Sequence, residues 1–411
     1  MIRNIRRLTA VIRVAATVFV SAFIAVPLAK PQAFKVIYSF GRDTAQHPIA
    51  GLTIDSQGNL YGTSAWGGDF GAGTVYELRR TSSGFVYSTL HSFAENQNDG
   101  GFPWDAVTIG PDGTLYGTTG EGGISDRGTV FNLRPSCHAG SCSWNETLLY
   151  RFPGGDEGRN PQSGVVFDEN GNLYGAVVNA GSAGDGLVYE LTPSQGAWKY
   201  QVLYTFTGGQ DGANPSSPLL FDSAGNLYGT AATGGLPGCA GFGCGTVYEL
   251  RPSGSGWKEH TLYSFHDGDD GAQPAAGLVR DASGNLYGAT CCGDSTGGTV
   301  FELSPSGGTW TFNLAYDFGG MGPGPMANLV RDSAGNLYGS SWGNGAYGQG
   351  LAFKLSPTNG GWTFASLHDF TGGTDGANAE GGLVMDSEGH LYGTTYEGGD
   401  HFDGVVFEIT P

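Results

Sequence analysis

Apolar residues in this chain fall into short runs of four to eight residues, bounded by Gly, Pro, Asn or Asp. The stretch from Ser217 to Phe265 holds four such runs: PLLFD, NLYGTA, GTVYEL and KEHTLYSF. Runs of this length that are rich in β-branched and aromatic residues predict strands, here named a, b, c and d in chain order. The a–b link reads Asp-x-x-Gly-Asn, in which Asp bonds its own backbone and Gly supplies a positive φ, so it predicts a hairpin turn.

The four-strand unit is repeated along the chain. Leu-Tyr-Gly in strand b recurs seven times, with its tyrosine at positions 61, 116, 174, 228, 287, 338 and 392. A repeat of about fifty to sixty residues that forms antiparallel hairpins is typical of a propeller blade rather than of a parallel β-helix. The sequence therefore predicts an all-β, seven-bladed β-propeller with four antiparallel strands in each blade.

The two ends of the repeat region complement each other. FKVIYSF at residues 34–40 matches strand d, whereas the chain ends with GVVFEITP, which matches strand c. The last unit therefore lacks its own strand d, and the first residues carry a spare one. We expect strand 34–40 to pair with the C-terminal blade and close the ring, which makes residues 34–411 a single domain.

The motif D-x-x-G-N-L-Y-G-T followed by G-T-V-Y/F-E-L resembles the GloVer tandem repeat of exported bacterial proteins. The resemblance covers nearly all of residues 34–411. It implies export and a propeller-like repeat, and it implies no particular activity. The D-x-x-G-N-L-Y turn alone gives a looser similarity to NHL-type and streptogramin-lyase-like propellers.

The N-terminus predicts export. Arg3, Arg6 and Arg7 precede an apolar run over residues 14–29, which is short for a membrane span and is interrupted by Pro27. We interpret residues 1–33 as a signal peptide cleaved near Ala29 or Ala33, with an uncleaved N-terminal membrane anchor as the alternative. Either interpretation gives a secreted, periplasmic or cell-surface protein.

Six cysteines follow this segment, an even number that favours disulfides in an exported chain. Their proximity predicts three local pairs, one of them between adjacent residues. None has the spacing of a CxxC metal site, so we expect no cysteine metal site. The predicted pairs are Cys137 with Cys142, Cys239 with Cys244, and Cys291 with Cys292.

The formal net charge of −19 argues against nucleic acid and anionic lipid as partners, because an acidic surface repels both. The d–a loops repeat Asp-Gly, as in HDGDDGAQP, which leaves calcium as an alternative to simple turn formation. The EF-hand spacing is missing there, and we expect no cofactor.

Three tryptophans depart from the repeat: Trp66 and Trp342 follow strand b, and Trp104 lies at the predicted start of strand a of blade 2. Strands alternate in direction, so the b–c and d–a loops emerge on one face of a propeller, and all three tryptophans should lie there. Variable loops on a rigid scaffold are where binding residues are usually found. We expect an aromatic arc over blades 6, 7, 1 and 2, with these ligand-binding residues: Trp66, Trp104, Trp342, Tyr347, Tyr396, Glu397 and His401.

Aromatic rings beside carboxylates suit a neutral sugar, since rings stack on its apolar face and carboxylates accept bonds from its hydroxyls. The leading hypothesis is a non-catalytic propeller that binds an extracellular glycan. One alternative is a polysaccharide hydrolase or lyase, which would use paired carboxylates or the His47–His401 pair that we expect where blades 7 and 1 meet. The other is an envelope scaffold that binds protein partners.

Overall fold

The computed structural model describes residues 32–411 apart from 42–43, 139–140, 267, 294–296 and 321–322, and only the backbone of residues 137–138 and 141–142. Residues 1–31 lie outside the described part, so the signal peptide stays a prediction. Within the described ranges, no helix has the length and apolar character needed to cross a membrane.

The described chain forms seven four-stranded antiparallel sheets, which are the blades of a propeller, and the predicted fold is confirmed. Strand a is innermost and very short, and strands c and d are the long outer pair. The a strands are Thr53–Ile54, Thr108–Ile109, Val166–Phe167, Leu220–Phe221, Val279–Arg280, Val330–Arg331 and Val384–Met385. The b strands are Leu60–Ser64, Leu115–Thr119, Leu173–Val177, Leu227–Ala231, Leu286–Thr290, Leu337–Ser341 and Leu391–Thr395.

The outer strands complete each blade. The c strands are Thr74–Thr81, Thr129–His138, Leu187–Ser194, Thr246–Ser253, Thr299–Ser306, Leu351–Thr358 and Val405–Thr410. The d strands are Gly84–Ser92, Ser141–Arg151, Ala197–Thr205, Gly256–Ser264, Thr309–Asp317, Gly361–Asp369 and, for the last blade, Ala33–Ser39. Two small sheets pair Ala45–Gln46 with Trp66–Gly67 and Gly100–Gly101 with Glu121–Gly122, and two 3-10 turns span Gly155–Glu157 and Cys239–Gly241.

The first strand closes the ring. Ala33–Ser39 pairs antiparallel with Val405–Thr410, so blade 7 takes its outer strand from the start of the chain and its other three from the end. Phe40, directly after this strand, is fully buried in a core that combines residues of blades 7 and 1, including Leu52, Tyr76 and Tyr392. The predicted closure is therefore confirmed.

The Leu-Tyr-Gly repeat follows from how strands b and c pack. Its leucine is fully buried, and its glycine lies beneath an aromatic ring of strand c. A Cβ at Gly62 would lie 2.4 Å from the ring and hydroxyl of Tyr76, so no larger residue fits there. The same contact recurs in every blade, through the pairs Gly117–Phe131, Gly175–Tyr189, Gly229–Tyr248, Gly288–Phe301, Gly339–Phe353 and Gly393–Phe407.

The repeated acidic residues hold the turns. In blade 3, Asp168 Oδ1 accepts the Asn172 backbone N–H at 2.9 Å, and its Oδ2 accepts the Asn172 side-chain amide at 2.8 Å. The Tyr174 hydroxyl lies 3.3 Å from Asp168 Oδ2 and donates to Glu190 Oε1 at 2.8 Å. Asp168 Oδ1 also accepts the Asn170 backbone N–H at 2.9 Å, the bond that defines an Asx turn, so the expected turn is confirmed and Glu190 has a structural role.

Hydroxyl groups of strand b tie one blade to the next. Thr118 Oγ1 donates to the carbonyl of Ser163 at 2.8 Å, and Thr394 Oγ1 donates to the carbonyl of Ala50 at 2.8 Å, across the closing junction. The side-chain hydroxyls of Thr63, Thr230 and Ser340 donate equivalent hydrogen bonds. Because each bond ends just before strand a of the neighbouring blade, it fixes the inner end of that blade around the axis.

Two of the three predicted disulfides are present, Cys239–Cys244 and Cys291–Cys292. Cys137 and Cys142 are partners in the backbone register of strands c and d in blade 2. Their side chains lie outside the described part of the structure, so that bridge remains a prediction.

Because the N-terminal strand closes the ring, we expect removal of the Phe40 ring to reduce the stability of the fold substantially. We expect Phe40→Ala to lower the free energy of unfolding by about 3–5 kcal/mol, as for other fully buried phenylalanines. Phe70→Ala is the control, because Phe70 is 67 % exposed and its loss should change stability by less than about 0.5 kcal/mol. Urea denaturation measures both, and equal stabilities for the two variants would contradict an integral role for the first strand.

Candidate functional site

An axial cavity of about 280 Å³ opens on the face that carries the b–c and d–a loops. One residue from each blade lines its mouth, always four positions before the first residue of strand a. These seven residues are Ile49, Trp104, Gln162, Ser216, Ala275, Met326 and Glu380. We call them the mouth ring.

Every blade supplies a different residue type to the mouth ring, although the positions around it repeat closely. The hydrophobic position three residues further on, for example, is Leu or Val in all seven blades. Sequence reasoning found only Trp104 and missed Glu380. The sequence does contain a pattern that identifies Glu380. When the residues before each strand a are aligned, the position four residues before the strand carries a different residue type in every repeat.

Glu380 and Asp105 are the two acidic residues that line the cavity. Burial raises the pKa of Glu380 to about 7. Burial also raises the pKa of Asp105 to about 6, although its carboxylate accepts the backbone N–H groups of Ala106 and Gly164, each at 2.7 Å. Asp105 thus joins blades 2 and 3, whereas the Glu380 carboxyl group has no hydrogen-bond partner among the described residues.

A continuous series of rings crosses the same face and reaches the cavity. Ring centroids are 5.4 Å apart for Trp342 and Tyr396, 6.0 Å for Tyr396 and Trp66, and 5.9 Å for Trp66 and Trp104. His47 packs against Tyr396 at 4.7 Å and Trp66 at 6.0 Å, and Phe102 lies 6.3 Å from Trp66.

We call these six residues the aromatic row. All are partly exposed. The row spans blades 6, 7, 1 and 2 and ends at Trp104, which also belongs to the mouth ring.

Backbone pairing positions the tryptophans of the row. Trp66 lies in a two-residue strand, opposite Gln46, and its carbonyl accepts the Ser64 hydroxyl at 2.8 Å. The carbonyl of Trp342 accepts the Asn378 side-chain amide of the neighbouring blade at 3.2 Å. The b–c loops that carry these rings are therefore held by their own blade and by the adjacent one.

Two members of the aromatic row adopt a left-handed backbone conformation that is uncommon for residues other than glycine. His47 has φ +50° and Phe102 has φ +55°, in the left-handed region. The equivalent residues of other blades are Asn160, Asn214, Gln273 and Asn378 at φ +55° to +58°. Asparagine and histidine adopt this conformation more readily than phenylalanine does, so the strain falls on Phe102. Strain of this kind is concentrated at functional sites, which makes the aromatic side chain of Phe102 informative.

The structure brings together four of the predicted ligand-binding residues, Trp66, Trp104, Trp342 and Tyr396. Glu397 is exposed beside them, and its backbone bonds to Ala377.

Two other predicted residues lie apart from the row. Tyr347 is 62 % exposed and makes no ring contact with the row in the described structure. His401 lies against Gly41, whereas His47 Nδ1 is 3.0 Å from the carbonyl of Tyr396. The expected His47–His401 pair does not form in the described part of the chain, because the two rings face different neighbours.

The sequence model of a protein family, the Gloeobacter/Verrucomicrobia repeat, matches residues 26–143, 139–331 and 292–411 of this chain. The chain belongs to this family. The GloVer resemblance of the sequence is thereby confirmed. A search of curated proteins found no match.

Solved structures share the fold at low identity. A fungal alcohol oxidase in complex with copper is 15% identical over 92% of this chain and 77% of its own, with a TM-score of 0.55. A provisionally assigned 6-phosphogluconolactonase from Bacteroides uniformis ATCC 8492 is 14% identical over 80% of this chain and 86% of its own, with a TM-score of 0.52. A glucose dehydrogenase is 15% identical over 92% of this chain and 99% of its own, with a TM-score of 0.46.

The left-handed conformation of Phe102 can be tested by comparing two truncations. Phe102→Asn and Phe102→Ala both remove the ring and its packing against Trp66. We expect the Asn variant to be more stable than the Ala variant by about 1 kcal/mol, because asparagine adopts positive φ more readily. Urea denaturation at a single pH measures the difference. Equal stabilities would mean that no strain is held at this position.

Burial of Glu380 predicts a pH dependence of stability. Burial raises the pKa of Glu380 from its usual value of about 4.5 to about 7, so the folded state holds the proton more tightly than the unfolded chain does. Stability should therefore fall as pH rises from about 4.5 to about 7. Glu380→Gln should reduce this slope, and Glu397→Gln, which alters an exposed carboxylate on the same face, should not. Urea denaturation at pH 4.5, 6 and 7.5 provides the test, and an unchanged slope in Glu380→Gln would refute the assignment.

Proposed function

We propose that this protein is an exported propeller that binds a neutral glycan without transforming it. Sugar rings would stack along the aromatic row, and a sugar hydroxyl would donate to Glu380 at the cavity mouth. The observation that carries the proposal is the continuous row of partly exposed rings across four blades, ending at the cavity. Aromatic rings that are only half covered present apolar faces of the size that pyranose rings offer.

The charges of the site favour a neutral ligand. Residues lining the cavity include Glu380 and Asp105 and no Lys or Arg, and the whole chain carries −19. A phosphorylated sugar would meet carboxylates and find no cationic partner there. The provisional 6-phosphogluconolactonase assignment of a structural neighbour therefore gives no reason to propose that substrate for this chain.

Binding is better supported than hydrolysis. Glycosidases need two carboxyl groups free to act as acid and as base or nucleophile. Both oxygens of Asp105 accept backbone N–H groups, so of the two cavity carboxyls only Glu380 is free. The copper of the fungal oxidase also finds no parallel, since copper favours imidazole and thiolate and the cavity lining includes no His or Cys.

An extracellular setting agrees with the disulfides. Bonds such as Cys239–Cys244 persist in oxidising compartments, outside the cytosol. Together with the predicted signal peptide, they support a ligand met outside the cell or in the envelope, where glycans are abundant.

Trp342 gives the sharpest test, because it ends the row and contacts only Tyr396 among its rings. A glycan array would first identify a ligand for the purified protein. Trp342→Ala should then weaken binding about 10-fold or more, equivalent to about 1.4 kcal/mol. Isothermal titration calorimetry measures the affinity.

Phe242→Ala is the matched control, since Phe242 is a 75 % exposed aromatic on a b–c loop of blade 4, outside the row. It should bind like the wild type. Undiminished binding by Trp342→Ala, with its melting temperature unchanged, would argue against the row as the site. An absence of glycan binding by the wild type would favour the envelope scaffold.

A further inference from the structure

Neighbouring blades meet along their outer d strands through a repeated contact. At five of the seven junctions, a ring near the end of one strand d stacks on a ring of the next. The pairs and centroid distances are Tyr38–Tyr87 at 4.6 Å, Tyr150–Tyr200 at 4.2 Å, Tyr263–Phe312 at 4.6 Å, Tyr316–Phe364 at 4.3 Å and His368–Phe34 at 3.6 Å.

Two junctions replace the second ring with glutamate. Glu259 occupies that place opposite Tyr204, and Glu146 occupies it opposite His91. A d–a loop aspartate completes each group: Tyr204 donates to Asp211 Oδ2 at 2.9 Å, and His91 Nε2 lies 3.1 Å from Asp99 Oδ1. Among the described residues at these two stacking positions and in the loop aspartates, an imidazole meets two carboxylates at the junction of blades 1 and 2.

We propose that His91, Asp99 and Glu146 bind a divalent first-row transition metal ion, for which zinc is the probe. His91 Nε2 is 4.0 Å from Glu146 Oε1, and the three possible ligand atoms lie within 4.8 Å of one another. Ligand atoms about 2 Å from zinc at tetrahedral angles lie about 3.3 Å apart, so small side-chain shifts would close the site.

The unsatisfied bonding capacity of the group supports a ligand. Glu146 Oε1 is buried and has no hydrogen-bond partner among the described residues. The side chains of His91, Asp99 and Glu146 are only 20 %, 13 % and 12 % exposed. A buried carboxylate oxygen without a partner is costly, and a cation beside Glu146 Oε1 would satisfy it. Asp99 already accepts the backbone N–H groups of Ala94 at 2.8 Å and Gly100 at 2.7 Å, and would use a further lone pair as a ligand.

The donor set selects the kind of ion. One imidazole nitrogen with two carboxylate oxygens suits zinc or manganese, whereas calcium and magnesium prefer oxygen ligands alone. Three protein ligands leave one tetrahedral position, which the partial exposure of His91 opens to water. The ion would join strand d of blade 1, its following loop and strand d of blade 2, taking the place of the stacked rings found elsewhere.

The other blades provide matched controls. The junction of blades 3 and 4 has the carboxylates Asp211 and Glu259 with a tyrosine in place of the imidazole. The junction of blades 6 and 7 has His368 with Asp375, and Phe34 in place of the second carboxylate. His91→Tyr therefore introduces a residue that five blades already carry at this position, so this variant should fold.

The test is zinc binding by tag-free protein, measured by isothermal titration calorimetry after treatment with a chelator. We expect the wild type and Glu259→Gln to bind zinc equally. His91→Tyr and Glu146→Gln should bind at least ~100-fold more weakly, since even residues that only orient metal ligands contribute 10–100-fold. Zinc should raise the melting temperature of the wild type but not of His91→Tyr.

Two outcomes would overturn the proposal. One is a wild type that binds no zinc and no manganese at submillimolar concentrations. The other is zinc binding of unchanged affinity in His91→Tyr, which would place the ion elsewhere. A melting temperature of metal-free His91→Tyr close to that of the wild type ensures that lost binding reflects the lost ligand and not unfolding.

Discussion

The structure depends on packing each blade between two neighbours. Strand b is buried on both faces, and the ring of strand c covers its glycine so closely that a Cβ at Gly62 would lie 2.4 Å from Tyr76. A sheet that is apolar on both sides cannot be left at an edge, so the blades must form a closed ring. Pairing of Ala33–Ser39 with the last blade provides that closure, because it covers the final sheet with a strand from the other end of the chain.

Closure places seven equivalent positions around one axis, and the protein uses them differently. Residues that hold the blades, such as the Asx-turn aspartates and the Thr118 hydroxyl, repeat because the packing they serve repeats. The mouth ring residues do not serve this repeated packing, and a different residue type occupies the position in each blade. Phe102 occupies a left-handed position where three other blades carry asparagine, so its ring comes at a cost in local stability.

The sequence grouped four of the six residues of the aromatic row for a physical reason. Strand alternation assigns the b–c and d–a loops to one face, and ring closure makes blades 6, 7, 1 and 2 consecutive. These two rules group Trp342, Tyr396, Trp66 and Trp104 from the sequence alone. The direction of a side chain within a loop has no such rule. Tyr347 and His401 were predicted on the correct loops, yet they point away from the row, toward solvent and Gly41.

Sequence by itself therefore determined the number of blades, their strand order, the closure and the face that carries the unusual residues, because each follows from a period and an alternation. Tertiary structure decided which side chains meet. Glu380 became part of the site only when the residues before seven separate strands converged on the axis. Likewise, His91 and Glu146 face each other because adjacent d strands pack side by side, and no pattern along the chain specifies the contact between residues of different blades.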